Sequence, residues 1–173
     1  MTRAPVISVE LLLDEATETA VRAEWDALAA AGLSSMAAHT AASNRPHVTL
    51  LVRSALKRLD DAALTARPAF PVRLGAPLLF GDGDRRVLVR NVIPSHALLA
   101  LHADVHLAAG AGDDAPHTAP GRWTPHVTLA RRVGLQDLDR ALPLVGGEIT
   151  GTARALRRWD AAERRITPLG DLR

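Results

Sequence analysis

The tetrapeptide His-Val-Thr-Leu occurs twice, at His47–Leu50 and at His126–Leu129, each time directly after a proline (Pro46, Pro125). The copies sit 79 residues apart in a chain of 173. On a strand, side chains alternate faces, so in each copy the imidazole and the hydroxyl two residues on point the same way. Two such strands can hold an anionic group and move protons on either side of it. Hydrolysis of a phosphodiester needs a base to deprotonate the incoming water and an acid to protonate the departing oxygen, on opposite sides of phosphorus. Histidine fits both roles because its pKa lies near neutrality, and one positioned proton-transfer residue gives roughly 10²–10⁴-fold. A pair of them needs no metal. The hydroxyls of Thr49 and Thr128 can donate to the non-bridging oxygens, each bond to a charged acceptor contributing on the order of 1.5–3 kcal/mol. Arg122 would neutralise charge that the hydroxyls cannot. A lone strand histidine is ordinarily structural, and threonine is common in strands by propensity. The joint recurrence in one register is what marks His47 and His126 as catalytic and Thr49 and Thr128 as phosphate-binding.

The repeat extends beyond the motif. At the same offset Leu56 falls on Leu135, Asp60 on Asp139, Phe70 on Ile149, Val9 on Leu88 and Phe80 on Trp159, without a gap. The first half reads as a strand over Pro5–Leu13 and a helix over Thr17–Ala31, with Val21, Trp25 and Leu28 on one face. A polar loop (Ser34–Arg45), the strand Pro46–Ser54, a helix over Ala55–Thr65 and the strand Ala69–Phe80 follow. The turn Gly81–Asp84 makes a hairpin into the second half. That half reads as the strand Arg85–Val92, a helix capped by Ser95 and running to Ala109, a Gly/Asp/Pro-rich loop over Gly110–Gly121, the strand Arg122–Val133, a short helix over Gly134–Leu142, and the strand Glu148–Trp159. A last strand covers Arg165–Leu169. The expected fold is α+β: a single bilobal domain over residues 1–173, with pseudo-symmetric halves at roughly 5–80 and 85–160. Its sheet is mostly antiparallel, helices lie outside, and the central cleft is the place for a ligand.

Strict alternation puts His47, Thr49, Leu51 and Arg53 on one face, with Val48, Leu50 and Val52 on the other beneath helices. On the second strand it puts Arg122, Thr124, His126 and Thr128 together and Trp123, Val127 and Leu129 opposite. Arg122 then lies roughly 13 Å before His126 if extended, and a bend at Pro125 would return its guanidinium to the imidazole.

Composition bounds the rest. Apolar residues are 47% of the chain and charged residues 23%, as in globular domains. No apolar run approaches the roughly 18 residues of a membrane span, and the N-terminus does not read as a secretory signal. No membrane partner is expected; the cytoplasm is the default location, and the chain is taken as a monomer. The absence of cysteine excludes disulfides and thiol catalysis. Lys57 is the sole lysine among 21 basic residues. The plain reading is codon bias; the functional one is guanidinium forks gripping phosphate. A net charge of +2 does not by itself argue nucleic-acid binding, and three Trp with two Phe are too few for a long stacking platform.

The two motifs, some 80 residues apart in a small bilobal chain, resemble those of the 2H phosphoesterase superfamily. The stretch Arg122-Trp123-Thr124-Pro125-His126-Val127-Thr128-Leu129-Ala130-Arg131 looks like the C-terminal motif of the RNA 2′,3′-cyclic phosphodiesterases, also called 2′-5′ RNA ligases. The first motif departs from many members by continuing Leu51-Val52-Arg53 in place of a Phe and a Gly. The resemblance implies acid–base catalysis by His47 and His126, phosphate contacts from Thr49, Thr128 and Arg122, and no cofactor. It implies RNA with 2′,3′-cyclic phosphate ends, or small cyclic-phosphate nucleotides, as the substrate, opened to a 2′-phosphate. The alternatives are the reverse joining reaction and a nucleotide- or RNA-end-binding module without turnover. Trp123, His39 and His117 are candidate substrate contacts, the histidines because they sit at matching places in the loops before each motif.

Other features carry less. His102 and His106, four apart on a helix, have a metal-ligand spacing but no third ligand, and read as a solvated face. His96 is incidental. Arg85 and Arg86 follow a glycine-rich hairpin, not a phosphate loop. Trp25 and Trp159 read as packing residues.

Overall fold

A computed structural model describes residues 5–173. In order it contains β1 (Ile7–Leu13), α1 (Glu15–Ala30), β2 (His47–Arg53), α2 (Asp61–Thr65), β3 (Phe70–Phe80), β4 (Arg85–Val92), α3 (His96–Ala109), β5 (His126–Gly134), α4 (Leu138–Ala141), β6 (Ile149–Asp160) and β7 (Arg165–Asp171). Short 3₁₀ turns at Met36–Ala38, Leu135–Asp137 and Leu142–Leu144 punctuate the loops. Every strand pair is antiparallel. The strands form one sheet in the order β2-β1-β6-β3-β4-β5, with β7 also paired to β6. Under the sequence repeat β1, β2 and β3 correspond to β4, β5 and β6, so the path is symmetric about its middle. Each half, however, places its third strand in the other half's lobe: β6 lies beside β1, and β3 beside β4. The sheet curls so that β2 and β5, at opposite ends of the path, come into contact.

Local chemistry explains the boundaries. Asp14 caps α1 by accepting the Thr17 amide (2.8 Å) and hydroxyl (2.9 Å), and it also accepts the Thr152 amide from β6. Gly151 permits this approach, since a Cβ there would stand 1.7 Å from the Thr17 hydroxyl. Val21, Trp25 and Leu28 bury the expected face of α1. Ser95 caps α3 as expected. The helix expected over Ala55–Thr65 forms only its last turn, because Asp60 caps at that point; Leu56 and Leu59 are buried from irregular chain. β5 starts at His126, not Arg122. Pro125 has no N–H for the ladder, and its carbonyl accepts the Val92 amide, while the Arg122 amide closes a turn on the Ala119 carbonyl.

His102 and His106 are not a solvated face. Both are buried, because α3 turns them toward β2 and the loop before β5. His102 Nε2 meets the Thr118 carbonyl at 2.9 Å; His106 meets the Asp114 carboxylate at 3.2 Å and the Leu50 carbonyl at 3.1 Å. Those nitrogens are engaged by the fold. A buried ion pair, Arg90 with Glu24, ties β4 to α1, and Arg90 also donates to the Gly75 and Gly146 carbonyls.

Candidate active site

A β-bulge recurs in both motif strands. Glu10 opposes Thr49 and Val9 opposes Leu51, so Leu50 is extra. Val89 opposes Thr128 and Leu88 opposes Ala130, so Leu129 is extra. An inserted residue reverses the alternation beyond it. The cavity face therefore runs His47, Thr49, Val52 on β2 and His126, Thr128, Arg131 on β5. Arg53, expected beside His47 on strict alternation, is instead buried on the far face. There its Nε donates to Asp114 (2.6 Å), and its other nitrogens donate to the carbonyls of Ala109 and Gly110.

Two indoles brace the bulges. Trp123 Nε1 donates to the Thr49 carbonyl at 2.9 Å, and Trp25 Nε1 to the Thr128 carbonyl at 3.1 Å. Each comes from the opposite half of the sequence, so each motif is held by the other half. Trp123 also stacks on His102 with centroids 3.9 Å apart. This packing turns it away from the cavity, contrary to its expected role as a substrate contact.

The imidazoles are held alike. His47 Nδ1 lies 2.7 Å from the Arg45 carbonyl, and His126 Nδ1 lies 2.8 Å from the Thr124 carbonyl. A carbonyl only accepts, so each Nδ1 carries a hydrogen and each Nε2 is left to exchange the reacting proton. Both rings, both threonines and Arg122 line one cavity of about 960 Å³. Ser8, Glu10, Phe80, Val87, His117, Thr124, Arg131 and Trp159 also contribute to its wall.

The cavity inherits the repeat: Ser8 matches Val87, Val52 matches Arg131, Trp159 matches Phe80. Its chemistry is nonetheless lopsided. Beside His47 stands Glu10, with Oε1 at 3.5 Å from Nε2. Glu10 accepts from the Ser8 hydroxyl (2.8 Å) and from Arg157 Nε (2.7 Å). Burial pushes the Glu10 carboxyl up, but the charges of His47 and Arg157 and these hydrogen bonds outweigh it and hold the group below its ordinary value. The matching position beside His126 is the apolar Val89, and Phe80 packs edge-on against the His126 ring at 4.8 Å. Burial pushes the His126 pKa down; its bond to the Thr124 carbonyl works the other way, and the charges of His117 and His47 add to the fall.

Of the remaining expected residues, Arg122 and His117 are exposed at the cavity edge, whereas His39 is exposed on a loop away from the lining. Trp159, expected to be packing, forms cavity wall. Arg85 and Arg86 stay at the hairpin, bonded to the Arg132 and Gly83 carbonyls. Among the described residues no group of three or more His, Asp or Glu is gathered to hold a metal. No described helix is long and apolar enough to cross a membrane. The motif reading misses Glu10, although Ser8 and Glu10 stand out at alternate positions of an otherwise apolar strand. It gives Arg131 no role, because the direction of that side chain depends on the bulge.

The fold matches those of several solved proteins. Escherichia coli LigT superposes with a TM-score of 0.57 at 15% identity, covering 98% of this chain and 97% of that one. TT0787 of Thermus thermophilus gives 0.56 at 18%, covering 97% and 98%. Usb1 of Kluyveromyces marxianus gives 0.54 at 13%, covering 98% and 100%. LigT has been solved with 3′-AMP, and Usb1 with uridine monophosphate. No curated protein matches the sequence. The family model of the 2′-5′ RNA ligase superfamily matches residues 17–167. The chain belongs to that superfamily, the 2H phosphoesterases.

Proposed function

We infer that the protein opens 2′,3′-cyclic phosphates on RNA ends or small nucleotides to 2′-phosphates. The observation that carries this reading is that both imidazoles and both Thr residues line one cavity. Water attacks phosphorus as one neutral imidazole takes its proton. The bond from phosphorus to the 3′ oxygen breaks, and that oxygen receives a proton from the other imidazole, held as imidazolium. The Thr49 and Thr128 hydroxyls donate to the non-bridging oxygens, and Arg122 approaches the anion from the rim. The nucleotides bound by LigT and Usb1 support a nucleotide or RNA end as ligand. The family's name favours one further reading, formation of 2′-5′ linkages, in which a 5′-hydroxyl takes the place of water in the same displacement of the 3′ oxygen.

The test is a panel of cyclic-phosphate dinucleotides and ADP-ribose cyclic phosphate, assayed with EDTA present and products resolved by phosphorus NMR. A 2′-phosphate product is expected, together with loss of turnover in His47→Ala and in His126→Ala at unchanged circular dichroism. Full activity in either variant would reject the histidine pair. Binding without product would make the protein a binding module, and assaying matched ends in the joining direction separates ligation from hydrolysis.

A further inference from the structure

The duplicated cavity departs from its own symmetry most sharply at one place, the pair Glu10 and Val89. We propose that Glu10 is a positioning residue that holds His47 protonated at Nε2 and thereby makes it the proton donor, leaving His126 as the base. The catalytic half of this statement rests on the proposed phosphodiesterase reading; the electrostatic half does not.

The geometry is specific. Glu10 is 4% exposed, and both its oxygens already accept hydrogen bonds, from Ser8 and from Arg157. It therefore cannot swing away from the ring. At 3.5 Å, Oε1 lies beyond a normal hydrogen bond to Nε2. The Nε2 proton thus feels the carboxylate yet stays available to an oxygen arriving in the cavity. With Nδ1 fixed on the Arg45 carbonyl, the ring is restrained at both ends.

The charges around His47 are unequal. From β1 it faces Glu10, with Arg157 of β6 behind that carboxylate. From β5 come His126 and Arg131, and from the preceding loop His117 and Arg122. Glu10 is the one carboxylate among the described residues lining this cavity, and it stands beside His47. His126 has the apolar Val89 where His47 has Glu10, and Phe80 against its ring, so nothing comparable favours its cationic form. During ring opening the proton leaving water passes to His126 Nε2. The electron pair of the breaking bond stays on the 3′ oxygen, which takes the His47 proton. Product release and exchange with solvent restore both rings.

The experiment is a histidine NMR titration of the whole chain, wild type against Glu10→Gln, read alongside the pH profile of kcat/KM. Removing the carboxylate should move the His47 titration to lower pH and leave that of His126 nearly unmoved. The alkaline limb, set by loss of the His47 proton, should move down by the same amount; the acidic limb, set by His126, should stay. Glu10→Asp should recover part of the shift. A cyclic phosphate with sulfur at the 3′ bridging position, whose thiolate leaves without a proton, should relieve the defects of Glu10→Gln and His47→Ala but not that of His126→Ala. If Glu10→Gln strands Arg157 and does not fold, Glu10→Gln with Arg157→Met removes both charges and should still lower the His47 pKa. An unmoved His47 titration in a folded variant overturns the proposal. A shifted titration in a protein that turns over no cyclic phosphate upholds the electrostatic half and rejects the phosphodiesterase reading, and the proton-donor role with it.

Discussion

Replacing Thr49 and Thr128 by valine isolates the hydroxyls. Valine keeps the branched shape and strand preference of threonine. Neither hydroxyl has a hydrogen-bond partner among the described residues, and both side chains face the cavity. The fold should hardly notice, and stability should stay within about 0.5 kcal/mol of wild type in thermal melts. The substrate should notice. A hydrogen bond to a charged acceptor is worth about 1.5–3 kcal/mol, and about 1.4 kcal/mol is tenfold in rate, so each variant should lose roughly 10- to 150-fold in kcat/KM. The two hydroxyls come from separate strands and would meet different oxygens. The double variant should therefore lose close to the product of the two factors, roughly 10²–10⁴-fold. The assay is initial rates on a cyclic-phosphate dinucleotide, with folding checked by thermal melts. If each single variant stays within about twofold of wild type, the threonines do not hold the phosphate, and the duplicated motif reduces to its histidines.

Two predictions concern stability. Glu24→Ala leaves Arg90, 1% exposed, buried with its charge uncompensated, and should cost about 3–5 kcal/mol in urea unfolding; a loss under about 1 kcal/mol would mean that water reaches the guanidinium. The second concerns acid. Burial pushes the His102 pKa below 6.5 and the His106 charge adds to the fall, while the Thr118 bond and the Asp114 charge oppose it without restoring it. The unfolded chain thus binds the His102 proton first, so stability is complete above pH 6.5 and falls as pH drops below it. Asp114 is opposed by burial but held below 3.8 by Arg53 and His106, so a further loss follows as pH falls below 3.8. His102→Gln should shrink the first step, leaving the part owed to His126, whose pKa burial also lowers, and keep the second in melts from about pH 8 to 3; an unchanged first step refutes the assignment.

The architecture is legible because it is written twice. The β-α-β-α-β order, the capping role of Ser95 and the face of α1 follow from pattern, and the motif histidines and threonines from their recurrence. Three things escape. The helix expected at Ala55 rests on the spacing of Leu56 and Leu59, but burial does not require helical backbone. The place of Arg53 and of Arg131 hinges on one inserted residue per strand, and a bulge leaves no mark in local hydropathy. His102 and His106 read as solvated because their partners, Thr118, Leu50 and Asp114, are supplied by a loop and a strand distant in sequence or turned by the fold.

The crossing of β3 and β6 reaches back to how such a chain could arise. One half alone leaves its lobe a strand short, with an open edge where its neighbour's third strand belongs. Two identical copies would each have to lend that strand to the other, as in a reciprocally exchanged dimer. The Gly81–Asp84 turn, from β3 into β4, is where such a pair becomes one polypeptide. Severing the chain there should yield fragments that are insoluble apart and recover a fold only when mixed.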